Sequence, residues 1–322
     1  MRKLTVLVTQ PIHQVALAAM REAGAEVRCR ASPTPIGGAE LAEAAAGTEA
    51  LVTMLTDRVD AGVFAANPEL RLVANVAVGY DNIDLAAARA AGVWVTNTPD
   101  VLTEATADLT MALLLGCARR LVEADALVRA GQFPSWTLLQ EPMGLDVSGA
   151  TLGIVGMGRI GQAVARRAGL GFGMRISYTA RTERSLPAEL AAERVELPEL
   201  LASADFLSLH VPLTAATHHL IDERALALMK PTAVLINTGR GPLVDEAALA
   251  RALASGRLAG AGLDVFEDEP RVRSELLACR QRVVLTPHLG SATDRTRRRM
   301  AALAAGSVIA LARGEEPANR VD

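Results

Sequence analysis

A chain of 322 residues, half of them apolar, has room for two domains with substantial cores. Its net charge of −3 gives no electrostatic argument for nucleic-acid or membrane binding, and its longest apolar run, within Met111 to Ala118, is far shorter than a membrane span. The three cysteines, Cys29, Cys117 and Cys279, form no metal-ligand spacing and read as reduced core residues of a cytoplasmic protein.

The first residues carry positive charge and then apolar side chains, too few for a signal peptide, so a first strand over 4–9 is expected. Strand and helix signals then alternate. Helices are expected over 12–23, 38–46, 60–66 and 84–91, with strands over 26–30, 50–55, 71–76 and 93–97 between and after them. Gly24, Gly47 and Gly92 stand where helices end. Such alternation argues for a parallel sheet covered on both faces. Pro99 breaks the pattern, and one long helix is expected over 103–130, ended by Gly131. An irregular connection containing Trp136 follows, over 132–149. A second α/β unit starts at Thr151, with strands expected over 152–155, 175–178, 206–210, 233–237, 261–265 and 283–286. Its helices are expected over 159–169, 223–229, 245–254 and 273–278, and a final helix over 293–312 follows Pro287.

Between the strand ending at Val155 and the helix beginning at Arg159 lie Gly156, Gly158 and Gly161, spaced as G-x-G-x-x-G. In a strand–turn–helix context the first glycine permits a tight turn. The second admits a pyrophosphate against the backbone, and the third lets the helix pack on the strand. The helix N-terminus offers free N–H groups to the phosphates. This stretch therefore marks a dinucleotide site. A cofactor lacking a 2′-phosphate usually meets an acid about 20 residues on. No acid occurs between Gly161 and Glu183; Arg181, Thr182 and Arg184 stand there instead. A guanidinium and a hydroxyl suit a 2′-phosphate, so NADP(H) is the expected cofactor, with NAD(H) the alternative. A solvated arginine on a loop would look the same.

Ligands of open α/β sheets lie beyond the carboxyl ends of strands, here in the cleft expected between the two domains. Three strands of the second unit run into Thr238-Gly239-Arg240-Gly241, Phe266-Glu267-Asp268-Glu269-Pro270 and Pro287-His288-Leu289-Gly290. Each delivers one polar candidate. Arg240 offers a planar fork for a carboxylate. His288 can trade a proton near neutral pH, and Glu269 beside it would favour the imidazolium. Taken singly, each could be an ordinary surface or structural residue, and the run Glu267-Asp268-Glu269 could be a solvated loop. Together with a cofactor fingerprint they fit hydride chemistry on a 2-keto acid.

At these residues the chain resembles the D-isomer-specific 2-hydroxyacid dehydrogenases. The resemblance spans essentially the whole sequence. It rests on Asn75-Val76-Ala77-Val78-Gly79-Tyr80-Asp81-Asn82-Ile83-Asp84, the glycine fingerprint, Asn237-Thr238-Gly239-Arg240-Gly241, Asp264 through Pro270, and Thr286 through Thr293. It implies a flavodoxin-like substrate domain over 1–98 and 290–322, a dinucleotide-binding domain over 99–289, interdomain helices at 103–130 and 293–312, and a homodimer. It implies Arg240, Glu269 and His288 as catalytic residues. The substrate carboxylate is expected on Arg240 and on the backbone amides of Val78 and Gly79. Cofactor contacts are expected from Thr106, Gly156, Gly158, Arg159, Ile160, Gly161, Arg181, Thr182, His210, Val211, Pro212, Thr217, Thr238, Asp264, His288 and Gly290, with the nicotinamide carboxamide on Asp264.

Within the family, the stretches 51–57 and 103–109 look most like glyoxylate/hydroxypyruvate reductases. The implied activity is NAD(P)H-dependent reduction of a small 2-keto acid, with Leu55, Trp136 and Met143 as candidate pocket walls. D-lactate-type and phosphite dehydrogenases are alternatives, the latter carrying lysine where this chain has Val78. NAD(H)-sensing corepressors share the triad, but carry a long Pro/Ser-rich tail. The chain departs from the common pattern at Gly239, where a slightly larger small residue often stands.

Overall fold

The computed structural model describes residues 3–182, 186–187 and 189–321. Two units divide the chain: Met1–Leu102 with Ala292–Asp322, and Thr103–Ser291. The expected boundaries lay at 98/99 and 289/290; these fall at 102/103 and 291/292.

The first unit holds β1 (Thr5–Val8), α1 (Gln14–Glu22), β2 (Glu26–Cys29), α2 (Gly38–Ala44), β3 (Ala50–Thr53), α3 (Ala61–Ala66), β4 (Leu72–Asn75), α4 (Leu85–Ala90) and β5 (Trp94–Thr96). All five strands are parallel in the order β2-β1-β3-β4-β5, the flavodoxin-like arrangement. Every residue of β3 and β4 is buried, as unbroken apolar runs in a doubly covered sheet require. The last helix of the chain, Asp294–Ala312, packs on α1 and β4. Gly24, Gly47 and Gly92 adopt φ of 91°, 70° and 68°, the left-handed ends their positions call for. Asp60 and Asp84 stand just outside their helices rather than inside, because each caps one. Asp60 accepts from Gly62 and Val63 N–H, and Asp84 from Ala87 N–H.

The second unit holds α5 (Thr103–Ala118), α6 (Leu121–Arg129), β6 (Thr151–Val155), α7 (Arg159–Arg166), β7 (Arg175–Thr179), β8 (Ala192–Arg194), α8 (Leu197–Ser203), β9 (Phe206–Leu209), α9 (Glu223–Leu228), β10 (Val234–Asn237), α10 (Glu246–Ala254), β11 (Gly260–Leu263), α11 (Ser274–Ala278) and β12 (Val283–Leu285). Its seven parallel strands run β12-β11-β10-β9-β6-β7-β8. The chain works outward from β6 to β8, then returns to β9 and works outward the other way. The β6/β9 boundary is thus the switch point at which such sheets bind ligands.

The single helix expected over 103–130 is two helices. Arg120 takes a left-handed φ of 52°, and Leu145 N–H donates to the Ala118 carbonyl at 2.7 Å, supplying that carbonyl with a partner from outside the helix. The Arg120 guanidinium grips Glu123 at 2.6 Å and Glu141 at 2.8 Å, holding the break. The β8 strand and the short α8 were not anticipated: β8 is a three-residue edge strand with two exposed side chains, so it carries no apolar pattern. The cysteine reading needs a correction. Cys117 is buried, but Cys29 and Cys279 are only partly so, because one ends the edge strand β2 and the other caps α11. Among the described residues no helix is long and apolar enough to cross a membrane.

Candidate active site

The fingerprint turn is built as its glycines require. Gly156 has φ of 98°, and a Cβ there would lie 2.6 Å from the His210 carbonyl oxygen. The β6 turn therefore packs directly on the loop leaving β9. A Cβ on Gly161 would lie 2.2 Å from the Gly156 oxygen, which forces helix α7 close against the turn. Gly158 differs, since a Cβ there would meet no atom within 4 Å. The protein does not need that glycine for its own packing, and the room beside it suits a pyrophosphate at the N-terminus of α7. Ile160 turns onto the apolar cluster beneath the helix, whereas Arg159 is exposed.

The next loop is also self-supporting. Thr217 Oγ1 donates to the Pro212 carbonyl at 2.7 Å and accepts from Thr214 N–H at 2.8 Å, stapling the turn that follows Val211. His210 is pushed down to about 4 by burial, so it is neutral at physiological pH; its Nε2 lies 2.8 Å from Ser208 Oγ. At the end of β7, Arg181 and Thr182 are both exposed. Arg184 lies outside the described residues.

Three loops at the carboxyl ends of β10, β11 and β12 form the polar corner. The Asn237 amide organises the first. Its Nδ2–H donates to the Arg240 carbonyl at 2.8 Å while its Oδ1 accepts from Gly239 N–H at 3.0 Å. Thr238 Oγ1 is held 2.9 Å from Thr110 Oγ1 on α5. A Cβ on Gly241 would fall 1.9 Å from the Phe266 carbonyl carbon, so the Arg240 loop rests on the Phe266–Glu267 peptide and only glycine permits it. Gly239 has less at stake, since its nearest neighbour would stand at 3.1 Å on the flexible Leu243 side chain.

On the second loop, Glu269 Oε1 accepts from Phe266 N–H at 3.0 Å, and Oε2 accepts from His288 Nδ1 at 2.8 Å. Burial pushes the Glu269 carboxyl up. Its hydrogen bond to His288, the His288 charge, the Phe266 N–H and the Arg240 charge outweigh that and hold it below the usual carboxylate range. It is ionised in the folded protein at neutral pH. Within the acidic run the side chains of Glu267 and Glu269 are only 14% and 23% exposed, while Asp268 between them faces solvent.

The third loop hangs on Asp264. This fully buried carboxylate accepts from Thr286 Oγ1 at 2.6 Å, Leu289 N–H at 2.7 Å and Gly290 N–H at 2.7 Å. His288 sits among these contacts with a left-handed φ of 54°, its N–H donating to the Asp264 carbonyl at 2.9 Å. Thr106 Oγ1 donates to the Gly290 carbonyl at 3.2 Å, tying α5 to the same loop. Asp264 therefore shapes the loop that presents His288, a task that sequence reasoning missed when it considered only the cofactor. Asn237 was missed as well, although it stands in a motif and ends a strand. An amide placed to bridge a turn is the only signal it carries.

In the first unit, β3 delivers Leu55 and β4 delivers Val78 and Gly79 at the carboxyl edge of the sheet. Asn97 Nδ2–H donates to the Val78 carbonyl at 2.8 Å, and Asn75 Nδ2–H donates to the Gly79 carbonyl at 2.9 Å. Both carbonyls thus have donors, which fixes the orientation of this loop. Buried Asp57 braces the Leu55 turn, accepting from Met54 N–H at 2.8 Å and Gln10 Nε2–H at 2.9 Å. Trp136 and Met143, read as pocket walls, belong to the second unit, where they are 73% and 50% exposed.

Comparison with known proteins adds identity to this geometry. Residues 111–290 match the D-isomer specific 2-hydroxyacid dehydrogenase, NAD binding domain family. The chain is 51% identical over 324 residues to a glyoxylate reductase of Thermococcus onnurineus, covering 99% of this chain and 96% of that one. It is 55% identical to a glyoxylate reductase of Korarchaeum cryptofilum over 85% of this chain and 82% of that one. It superposes on the NADPH-dependent glyoxylate/hydroxypyruvate reductase of Sinorhizobium meliloti, solved with NADP and malonate, with a TM-score of 0.87 and 35% identity over 99% of this chain and 97% of that one. With the fingerprint turn, the Arg240 loop and the Glu269–His288 pair all in one matching unit, the chain belongs to the D-isomer-specific 2-hydroxyacid dehydrogenase family.

Proposed function

We propose that this protein reduces glyoxylate or hydroxypyruvate to the 2-hydroxy acid with a nicotinamide dinucleotide, D-specifically where the product is chiral. The observation that carries this reading is the hydrogen-bonded pair of Glu269 and His288 at 2.8 Å, with the charge of Arg240 acting on Glu269, at the ends of three adjacent strands. The nicotinamide, when bound, supplies a hydride to the keto carbon. Gly156, Gly158, Arg159, Ile160 and Gly161 would hold its pyrophosphate. Thr106, His210, Val211, Pro212, Thr217, Thr238, Asp264 and Gly290 would line the rest of its site.

The chain's own residues do the remaining work. Arg240 holds the substrate carboxylate through its guanidinium fork and polarises the keto oxygen. The amides of Val78 and Gly79 are the second proposed carboxylate contact, and Leu55 a wall for the substrate's side chain. With Nδ1 committed to Glu269, Nε2 of His288 is the nitrogen that exchanges the proton. It donates to the oxygen in reduction and withdraws it in oxidation, while Glu269 keeps the imidazolium charge compensated.

Arg181 and Thr182, with no acid beside them, support a preference for NADPH over NADH. The apolar side chains exposed on the second unit, including Trp136 at 73% and Leu138 and Leu139 at 80%, support a homodimer through that unit. A cytoplasmic location fits three free cysteines. The test is steady-state kinetics over glyoxylate, hydroxypyruvate, pyruvate and larger 2-keto acids with each cofactor. The two small acids with NADPH should give the highest kcat/KM. A flat profile, or turnover of none, overturns the reading.

A further inference from the structure

Behind the Glu269 loop lies a second set of ionisable groups that the reaction does not use. Glu246, the first residue of α10, is 3% exposed, and its Oε1 accepts from Glu267 N–H at 2.6 Å. Glu267 in turn holds His219 Nε2 through one oxygen and Arg273 Nε at 3.4 Å through the other. Arg273 also stands 3.9 Å from Glu246 Oε2.

The Phe266–Glu267 peptide is gripped from every side. Gly241 presses on it from the Arg240 loop. Phe266 N–H points to Glu269, and Glu267 N–H to Glu246. One short backbone segment therefore sets both the loop that carries Arg240 and the carboxylate that meets His288. Glu246 anchors it to a helix by hydrogen bond. A buried carboxylate held among other acids is costly unless it is used. Burial pushes the Glu246 carboxyl up, the Glu267 N–H draws it down, and the charges of Glu267 and Asp268 push it up against the pull of Arg273. The net direction is upward, so packing has kept an acceptor here against its electrostatic preference.

We infer that Glu246 is a positioning residue: its hydrogen bond to Glu267 N–H holds the 266–269 loop so that Glu269 meets His288. The inference rests on the proposed proton-transfer role of that pair. The groups facing Glu246 are Glu267, Asp268 and Arg273, with His219 bound to Glu267. Its hydrogen-bond acceptor, rather than its charge, is what the loop requires.

The experiment measures kcat and kcat/KM for keto acid reduction against pH in wild type, Glu246→Ala, Glu246→Gln, Glu269→Gln and the Glu246→Ala/Glu269→Gln double variant. Glu246→Ala should lower kcat about five- to tenfold with KM nearly constant, and move the alkaline limb toward lower pH, as Glu269→Gln does. Glu246→Gln keeps the acceptor and should retain the wild-type limb. In the double variant the limb should move no further than in Glu269→Gln alone. If Glu246→Ala does not fold, Glu246→Asp, which withdraws the carboxylate by one methylene, should show a limb between the two. An unmoved limb in the Glu246 variant beside a moved limb in Glu269→Gln overturns the positioning role alone. An unmoved limb in Glu269→Gln overturns the pair and, with it, this inference.

Discussion

The loops after β10, β11 and β12 and the residues directly after β7, up to Thr182, sit at the carboxyl edge of one sheet, yet they are held very differently. At the first, every turn is fixed several times over. Asp264 takes three donors, Asn237 bridges its own loop, and Gly241 lies where no side chain fits. At the second, among the described residues, Arg181 and Thr182 lie exposed, and the Ala180 carbonyl accepts from Arg194 at 2.9 Å. The difference fits the role proposed for each loop. Moving a proton and a hydride demands position to within a fraction of an ångström, which calls for redundant bonds. The proposed choice between a phosphate and a hydroxyl demands only a charge within reach, which an exposed side chain provides.

The sharpest break is expected at His288. His288→Ala removes the proposed proton carrier and should lower kcat/KM by about 10²- to 10⁴-fold in both directions. Cofactor binding, followed by nicotinamide fluorescence, should survive. Turnover within tenfold of wild type would show that the rigid corner serves some other step. Next comes Arg240→Lys. An ammonium cannot reproduce the fork, so kcat/KM should drop by roughly 10- to 100-fold, an amount in keeping with one charge-assisted hydrogen bond. Wild-type kcat/KM in that variant would remove Arg240 from substrate capture.

Glu269→Gln sharpens the comparison through pH. In the proposed mechanism reduction draws its proton from His288, so an alkaline limb is expected in its pH profile. Glu269 is already ionised throughout this range, because its carboxyl lies below the usual value. Neutralising it removes the charge that favours the imidazolium, and the alkaline limb should move to lower pH, with up to about a tenfold loss at neutral pH. The smallest effect belongs to the other loop. Arg181→Ala should weaken NADPH use by roughly tenfold and leave NADH use nearly unchanged, since an exposed contact is heavily screened. An equal loss with both cofactors would mean that the β7 loop is also structural.

The same contrast explains what could be read before the fold was known. Alternating apolar runs gave away both sheets, because β3, β4, β6, β9 and β10 are buried along their whole length. The glycine spacing announced the turn after β6. The break at Arg120 was hidden, because it depends on a carbonyl finding its partner at Leu145, well along the chain. Arg240, Glu269 and His288 stood out as polar residues directly after strands. Glu246 did not, since a glutamate opening a helix looks like an ordinary first-turn acid facing solvent. Its burial comes from the β11 loop folding over it, which no local pattern records.

The first unit is split in the sequence, and this has a consequence for how the protein is made. The last helix, 294–312, leaves the ribosome after the whole of the second unit, yet it packs on α1 and β4, among the earliest segments synthesised. Until then α1 and β4 of the nascent first unit are without the helix that packs on them. The second unit meets no such delay, for its strands β9 to β12 pair in the order in which they emerge. The fingerprint turn and the Glu269–His288 pair therefore belong to a unit whose chain is complete while the first unit still awaits its last helix.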